Sequence, residues 1–191
     1  VLEGIEAAQA AGLTPIKVNV VVKRGENEHS LCDLARRFKG SGVIVRFIEY
    51  MDVGTLNGWR MDDVVPAAEI VESIHREMPL EPAEPNYAGE VARRYRYLDG
   101  GGEIGIIASI TSPFCGDCSR ARLSTSGELV TCLFADKGTN LRDPMREGAT
   151  DEQLLALIRG NWSRRSDRYS EERGEHTASP PRKVEMYQIG G

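Results

Sequence analysis

Three of the four cysteines fall between residues 111 and 135, and their spacing limits what that stretch can be. Cys115 and Cys118 form a C-x-x-C knuckle, which lets two thiolates converge on one metal, and thirteen residues separate Cys118 from Cys132. Residues 120–124 and 128–132 read as short strands, and Thr125-Ser126-Gly127 between them is the small polar turn that a hairpin needs. If Ser124 pairs with Glu128, Arg120 falls opposite Cys132, and the third sulfur returns beside the knuckle.

The same pairing places charge there. Side chains two apart on a strand share a face, so Arg120 and Arg122 point the same way, with Cys132 across from them. Two guanidiniums on a rigid strand suit phosphate, since each fork donates parallel hydrogen bonds to its oxygens. A solvated hairpin edge carrying arginine is the bland alternative. The ligand set leaves a question open. A structural zinc wants a fourth ligand, and His29, His75 and His176, the only histidines, all lie outside the motif. An iron-sulfur cluster on three thiolates instead leaves one iron open to a ligand from outside. Spacing does not choose between the two.

Composition narrows the class. A chain of 191 residues with 40% hydrophobic content suits one or two globular domains. Its net charge of −5 argues against general nucleic-acid binding. No apolar run is long enough to span a bilayer and no leader pattern opens the chain, so a cytoplasmic location is expected. Cysteines gathered at one motif point to metal ligation in a reducing compartment rather than to disulfides.

Residues 1–13 read as an amphipathic helix entered without a cap, and a longer parent chain is the expectation. Residues 15–23 form a β-branched run expected as a buried parallel strand, with Lys17 and Asn19 on one face and Ile16, Val18, Val20 and Val22 on the other. Asn27 is placed to cap a helix through Lys39, with Cys32 as a small residue beside its buried stripe. Residues 43–51 form a second strand broken by Arg46, whose charge needs an anion or a carboxylate; Glu49 is near in sequence but points to the opposite face. A helix follows over residues 66–78. Residues 81–86, acidic and proline-rich, read as a linker. Residues 93–98 and 103–109 flank Asp99-Gly100-Gly101-Gly102 as a hairpin, and Thr150 caps a helix over 151–159 whose Leu154, Leu155, Leu157 and Ile158 supply a packing face. Trp162 is expected to pack below that helix. The charged run 167–173 reads as a solvated face.

Phe114-Cys115-Gly116-Asp117-Cys118-Ser119-Arg120-Ala121-Arg122-Leu123, Cys132-Leu133-Phe134 and the terminal Gly190-Gly191 resemble the carboxyl-terminal part of the GTP 3′,8-cyclase family, radical-SAM enzymes of molybdenum cofactor biosynthesis. The resemblance extends over nearly the whole chain, including residues 16–21 and 46–54. It implies an α/β fold. Residues 1–80 would be the last β/α units of a partial TIM-like radical-SAM barrel, and residues 81–191 an α+β auxiliary cluster domain with a Gly-Gly tail projecting into the active site. It also implies that Cys115, Cys118 and Cys132 hold an auxiliary [4Fe-4S] cluster. GTP would be bound by Lys17, Arg46, Arg120, Ala121 and Arg122, and S-adenosylmethionine contacted by Met51. In the family a second [4Fe-4S] cluster on C-x-x-x-C-x-x-C cleaves S-adenosylmethionine, and the deoxyadenosyl radical takes the ribose 3′ hydrogen before C3′ attacks guanine C8. The four cysteines here do not form that motif. The implied partners are GTP, an amino-terminal half, a second copy in a homodimer, and cyclic pyranopterin monophosphate synthase as the next enzyme. Against this stand a zinc-stabilised binding module without chemistry and another radical-SAM enzyme with a similar auxiliary domain.

Overall fold

A computed structural model of the chain describes residues 1–176 together with Glu185 and Tyr187, and the Gly190-Gly191 tail lies outside the described residues. Contacts divide the chain into two compact units, residues 1–51 with 60–113, and residues 52–59 with 114–191.

In the first unit the β-branched runs become strands. β1 (Ile16–Val22) and β2 (Val43–Glu49) lie parallel, with Asn19 beside Arg46, and α2 (Leu31–Phe38) connects them. Alternation along β2 is complete: Val43, Val45, Phe47 and Glu49 are buried, whereas Ile44, Arg46 and Ile48 on the opposite face are half-buried. β3 (Leu80–Ala83), β4 (Arg93–Tyr97) and β5 (Glu103–Ile107) complete a five-stranded mixed sheet in the order β1-β2-β5-β4-β3. β5 runs parallel to β2 and antiparallel to β4, and β4 pairs antiparallel with β3. Phe47, Val45 and Ile104 of the sheet pack in one core with Leu31 and Ala35 of α2 and with Ile70 and Ile74 of α3 (Ala67–Glu77). Each such large aliphatic or aromatic side chain contributes roughly 1.5–3 kcal/mol on burial.

Glu49 ends β2 inside this core, with no exposed surface. It is kept there by donors from two other segments. Ala67 N, the first amide of α3, donates to Oε1 at 2.8 Å, while Ile110 N and Thr111 N donate to Oε2 at 2.7 and 2.9 Å. The Thr111 hydroxyl also donates to Oε1. A helix N-terminus with free amides favours a carboxylate at that point.

Several local expectations are corrected. Residues 81–86 are not a free linker: their first half belongs to β3, where Glu81 sits beside Arg96 and Pro82 beside Tyr95. Asn27 does not cap α2 with its side chain; it accepts from Lys23 N and donates to Val21 O, bracing the loop after β1. α1 (Leu2–Ala10) buries none of its residues. Cys32 packs against the core as expected and donates to Ser73 O at 3.4 Å. His75 Nδ1 accepts from Leu80 N at 3.0 Å, which secures the turn from α3 into β3.

In the second unit, β6 (Arg122–Leu123), β7 (Glu128–Val130) and β8 (Thr139–Asn140) form a small antiparallel sheet. The hairpin register is the one expected: Arg122 faces Val130, Leu123 faces Leu129, and Ser124 N donates to Glu128 O. Gly127 closes the turn at φ +82°, a left-handed conformation that glycine adopts without strain. The ladder is shorter than residues 120–124 and 128–132, so Arg120 and Cys132 extend beyond it. α4 (Arg142–Arg146), α5 (Asp151–Ser163) and α6 (Tyr169–Glu172) follow. Thr150 and Gln153 form a full capping box on α5, which runs past the expected 159. No residue of α5 is buried, and Leu155, Leu157, Ile158 and Trp162 are each more than a third exposed, so the expected packing face is open among the described residues. None of the described helices is long and apolar enough to cross a membrane.

Candidate metal centre

Phe114 leads into one 3₁₀ turn over Cys115–Asp117, and Cys118 N donates back to Cys115 O at 3.3 Å. The tight turn brings the two knuckle cysteines onto one short loop. Cys115, Cys118 and Cys132 are all free thiols and half-buried. Two of the sulfurs accept hydrogen bonds: Arg120 Nε donates to Cys118 Sγ at 3.3 Å, and Phe134 N donates to Cys132 Sγ at 3.4 Å. Donors aimed at sulfur favour the thiolate, which is the form that binds metal.

The electrostatics separate the sulfurs. Burial pushes the Cys118 thiol up, but the Arg120 backbone and side-chain bonds, with Arg165 beside them, outweigh it and hold Cys118 below its ordinary value. Burial also pushes Cys132 up; the Phe134 N–H opposes this, and Asp167 and Cys115 add to the rise. Arg122 is held below its usual value by burial and by Arg120, while Cys118 and Cys132 act in the other direction. Arg122 thus interacts with Cys118 and Cys132, and Cys132 with Cys115. Among the described residues no three His, Cys, Asp or Glu side chains close on a point that would hold a single ion. Three soft sulfurs with N–H donors at two of them are ligands of the type that thiophilic metals and iron-sulfur clusters take.

The charged run after α5 is where sequence reasoning missed most. Arg165 Nη1 donates to Cys118 O, and Arg165 Nε donates to Asp167 Oδ2 at 3.1 Å. The Thr131 hydroxyl donates to the same Oδ2 at 2.6 Å. Burial works against the Arg165 charge, but Cys118 and Asp167 more than offset it. Further along, Tyr169 stacks on Phe134 with ring centroids 4.6 Å apart, its hydroxyl donates to Asp52 Oδ2 at 2.7 Å, and Arg173 Nε donates to Asp52 Oδ1 at 3.0 Å. The expected solvated face holds for Arg168, Glu171 and Glu172, which are exposed, whereas Asp167, Tyr169 and Arg173 are half-buried and tied to the Cys132 loop and to Asp52. Charge density alone carried no signal of this, because the partners lie far away in sequence.

Lys17, Arg46 and Met51 belong to the first unit, whereas the cysteines, Arg120, Ala121 and Arg122 belong to the second. Lys17 is exposed on β1, on the same sheet face as Asn19 and Arg46. Arg46 Nη2 lies 3.8 Å from Glu90 Oε1, in a pair whose side chains are 16% and 2% exposed. Glu90, not Glu49, is the carboxylate that this strand charge required. Gly105 of β5 makes room for it, since a Cβ there would meet Arg46 Cγ at 3.0 Å and Ala92 Cβ at 3.2 Å. Met51 is half-buried two residues after the end of β2.

A family model described as Molybdenum Cofactor Synthesis C matches residues 43–171. The chain belongs to the GTP 3′,8-cyclase family. It is 51% identical to the GTP 3′,8-cyclase of Acidothermus cellulolyticus, over all of this chain and 59% of that protein. The GTP 3′,8-cyclase of Xanthomonas campestris pv. campestris is 48% identical, with 56% of its length covered, and that of a Synechococcus is 49% identical, with 55% covered. This chain therefore spans a little over half the length of these cyclase relatives and corresponds to their carboxyl-terminal portion.

Proposed function

We propose that this chain is the substrate-receiving part of a GTP 3′,8-cyclase, which holds an auxiliary [4Fe-4S] cluster on Cys115, Cys118 and Cys132 and binds GTP beside it. The contact between Arg120 Nε and Cys118 Sγ supports this most directly, because it joins the phosphate-type donor to the ligand-type sulfur within one motif. When bound, a four-iron cluster on three protein thiolates supplies an open iron to a ligand from outside. The rest is done by the side chains. Arg120 spends Nε on the sulfur and keeps its Nη donors for phosphate. Arg122, half-buried next to Arg120, gains from an anion that offsets the repulsion between the two guanidiniums. The backbone of Ala121, between them, belongs to the same subsite.

Lys17 and Arg46 share one face of the first unit's sheet and are proposed as further triphosphate ligands, with Met51 as a contact to S-adenosylmethionine. The Glu90 carboxylate would keep the Arg46 guanidinium oriented while leaving its other donors available. The parallel β1–α2–β2 unit is consistent with the closing part of a radical-SAM barrel. Radical generation is assigned to residues beyond this chain, since its four cysteines lack the C-x-x-x-C-x-x-C spacing.

The test is GTP affinity in the full-length enzyme. Arg120→Ala or Arg122→Ala should each cost roughly 1.5–3 kcal/mol, about ten- to a hundredfold in Kd. Guanosine binding should change much less. Equal losses for nucleotide and nucleoside would place the arginines in support of the fold rather than on the phosphates.

A further inference from the structure

The sulfurs sit on two separate segments, the 3₁₀ turn ending at Cys118 and residues 131–134 after β7. The hairpin between them has only two ladder pairs, Arg122 with Val130 and Leu123 with Leu129. β7 also pairs with β8, but the ladder stops short of Arg120 and Cys132, so it leaves the cysteine segments beyond it to be held by other contacts. A second tie exists. Arg165 Nη1 donates to Cys118 O, Arg165 Nε donates to Asp167 Oδ2, and Asp167 Oδ2 accepts from the hydroxyl of Thr131, the residue before Cys132. The Arg165 side chain is 12% exposed and Asp167 30%. The guanidinium also lies 5.0 Å from the Trp162 ring centroid, which fixes its plane from the α5 side.

We propose that Arg165 and Asp167 are a positioning pair for the sulfur site: they hold the knuckle and the Cys132 segment at a set separation, and the Arg165 charge sets how readily the cluster accepts an electron. The second half of this rests on the cluster assignment above, and the first does not. Arginine fits both tasks. Its fork reaches a carbonyl and a carboxylate at once, which the single ammonium of lysine cannot reproduce in the same geometry. A fixed cation beside the ligating sulfurs favours the more negative, reduced state of a cluster, since net charge and hydrogen bonding are what set such potentials.

Two measurements on the 191-residue chain decide it. In the first, hydrogen exchange is followed on metal-free protein for Thr131→Val, which removes one hydroxyl, and for Asp167→Asn, which keeps the shape. Amides of residues 115–118 and 131–134 should both exchange at least tenfold faster, while those of α5, in the same unit, stay as in the wild type and report that the unit is folded. Unchanged exchange at both segments in both variants would overturn the tie, whether or not the chain accepts iron. The second is a redox titration of reconstituted protein. Arg165→Gln should shift the reduced-to-oxidised ratio at fixed poise about tenfold toward oxidised, about 59 mV for a one-electron couple. Arg165→Lys, which loses the fork and keeps the charge, should stay nearer the wild-type potential while showing the faster exchange. A wild-type potential in Arg165→Gln would overturn the charge role. Wild-type protein that takes up no iron would instead count against the cluster assignment, with the exchange result still deciding the pair.

Discussion

Replacing Glu49 tests whether the first unit is held as described. Its two oxygens accept three backbone N–H bonds and one hydroxyl bond, in a core site with no exposed surface. Glu49→Gln keeps the shape but must present an NH₂ group to donors. The less costly orientation turns that group toward Ala67 N and the Thr111 hydroxyl, because the hydroxyl can rotate to accept; the Ile110 and Thr111 amides keep their oxygen. One charge-assisted bond is lost outright, so the expected cost is roughly 1.5–3 kcal/mol. Glu49→Ala leaves all three amides without a partner. At about 1–3 kcal/mol per unsatisfied buried donor, offset in part by water entering the space, roughly 3–5 kcal/mol is expected. With a urea slope of about 2 kcal/mol/M, the midpoint for this unit should fall by about 1.5–2.5 M. Both tryptophans, Trp59 and Trp162, lie in the second unit, so the assay is far-UV circular dichroism combined with exchange of β2 and β5 amides. Losses below about 0.5 kcal/mol in both variants, with protected Ile110 and Thr111 amides, would refute the reasoning.

Further outcomes are expected. Burial, with Asp99 and Cys32 adding to it, pushes the Tyr97 phenol from 10.0 up to about 12. The buried neutral phenol therefore contributes fully below pH 10 and its contribution is lost as pH rises through about 12, and Tyr97→Phe should flatten the alkaline fall in stability over that window. The 191-residue chain alone, reconstituted and incubated anaerobically with dithionite, S-adenosylmethionine and GTP, should yield neither 5′-deoxyadenosine nor cyclised nucleotide. Turnover by this chain unaided would overturn the assignment of radical generation to other residues.

Much of the first unit was legible from the sequence because its signals are local. β-branched runs gave β1 and β2, alternation placed Arg46 and Glu49 on opposite faces, and Asp99-Gly100-Gly101-Gly102 gave the β4–β5 turn. The hairpin register at Ser124 and Glu128 followed from turn chemistry in the same way. Pairing of β5 alongside β2 was not legible, since parallel neighbours are chosen by packing across long separations rather than by local pattern. Glu90 escaped notice as the partner of Arg46 for a related reason: it stands in a loop, and only the fold brings it to the strand. The run 167–173 failed differently. A solvated charge run and a paired one have the same composition, and here Asp167 meets Thr131 across 36 residues while Arg173 meets Asp52 across 121. On α5 the leucines fit a packing face, yet among the described residues Leu154 is only half-buried and Leu155 and Leu157 are exposed, so periodicity identified the helix without identifying what covers it.

The central claim, that Cys115, Cys118 and Cys132 hold a cluster next to a phosphate site, is tested most directly by metal content. Protein purified and reconstituted without oxygen should be brown, with broad visible absorption and about four irons per chain. Replacing any one of the three cysteines with alanine should abolish that absorption, and Cys32→Ala should leave it intact. Colourless protein carrying one zinc per chain and resisting iron-sulfide reconstitution would contradict the account.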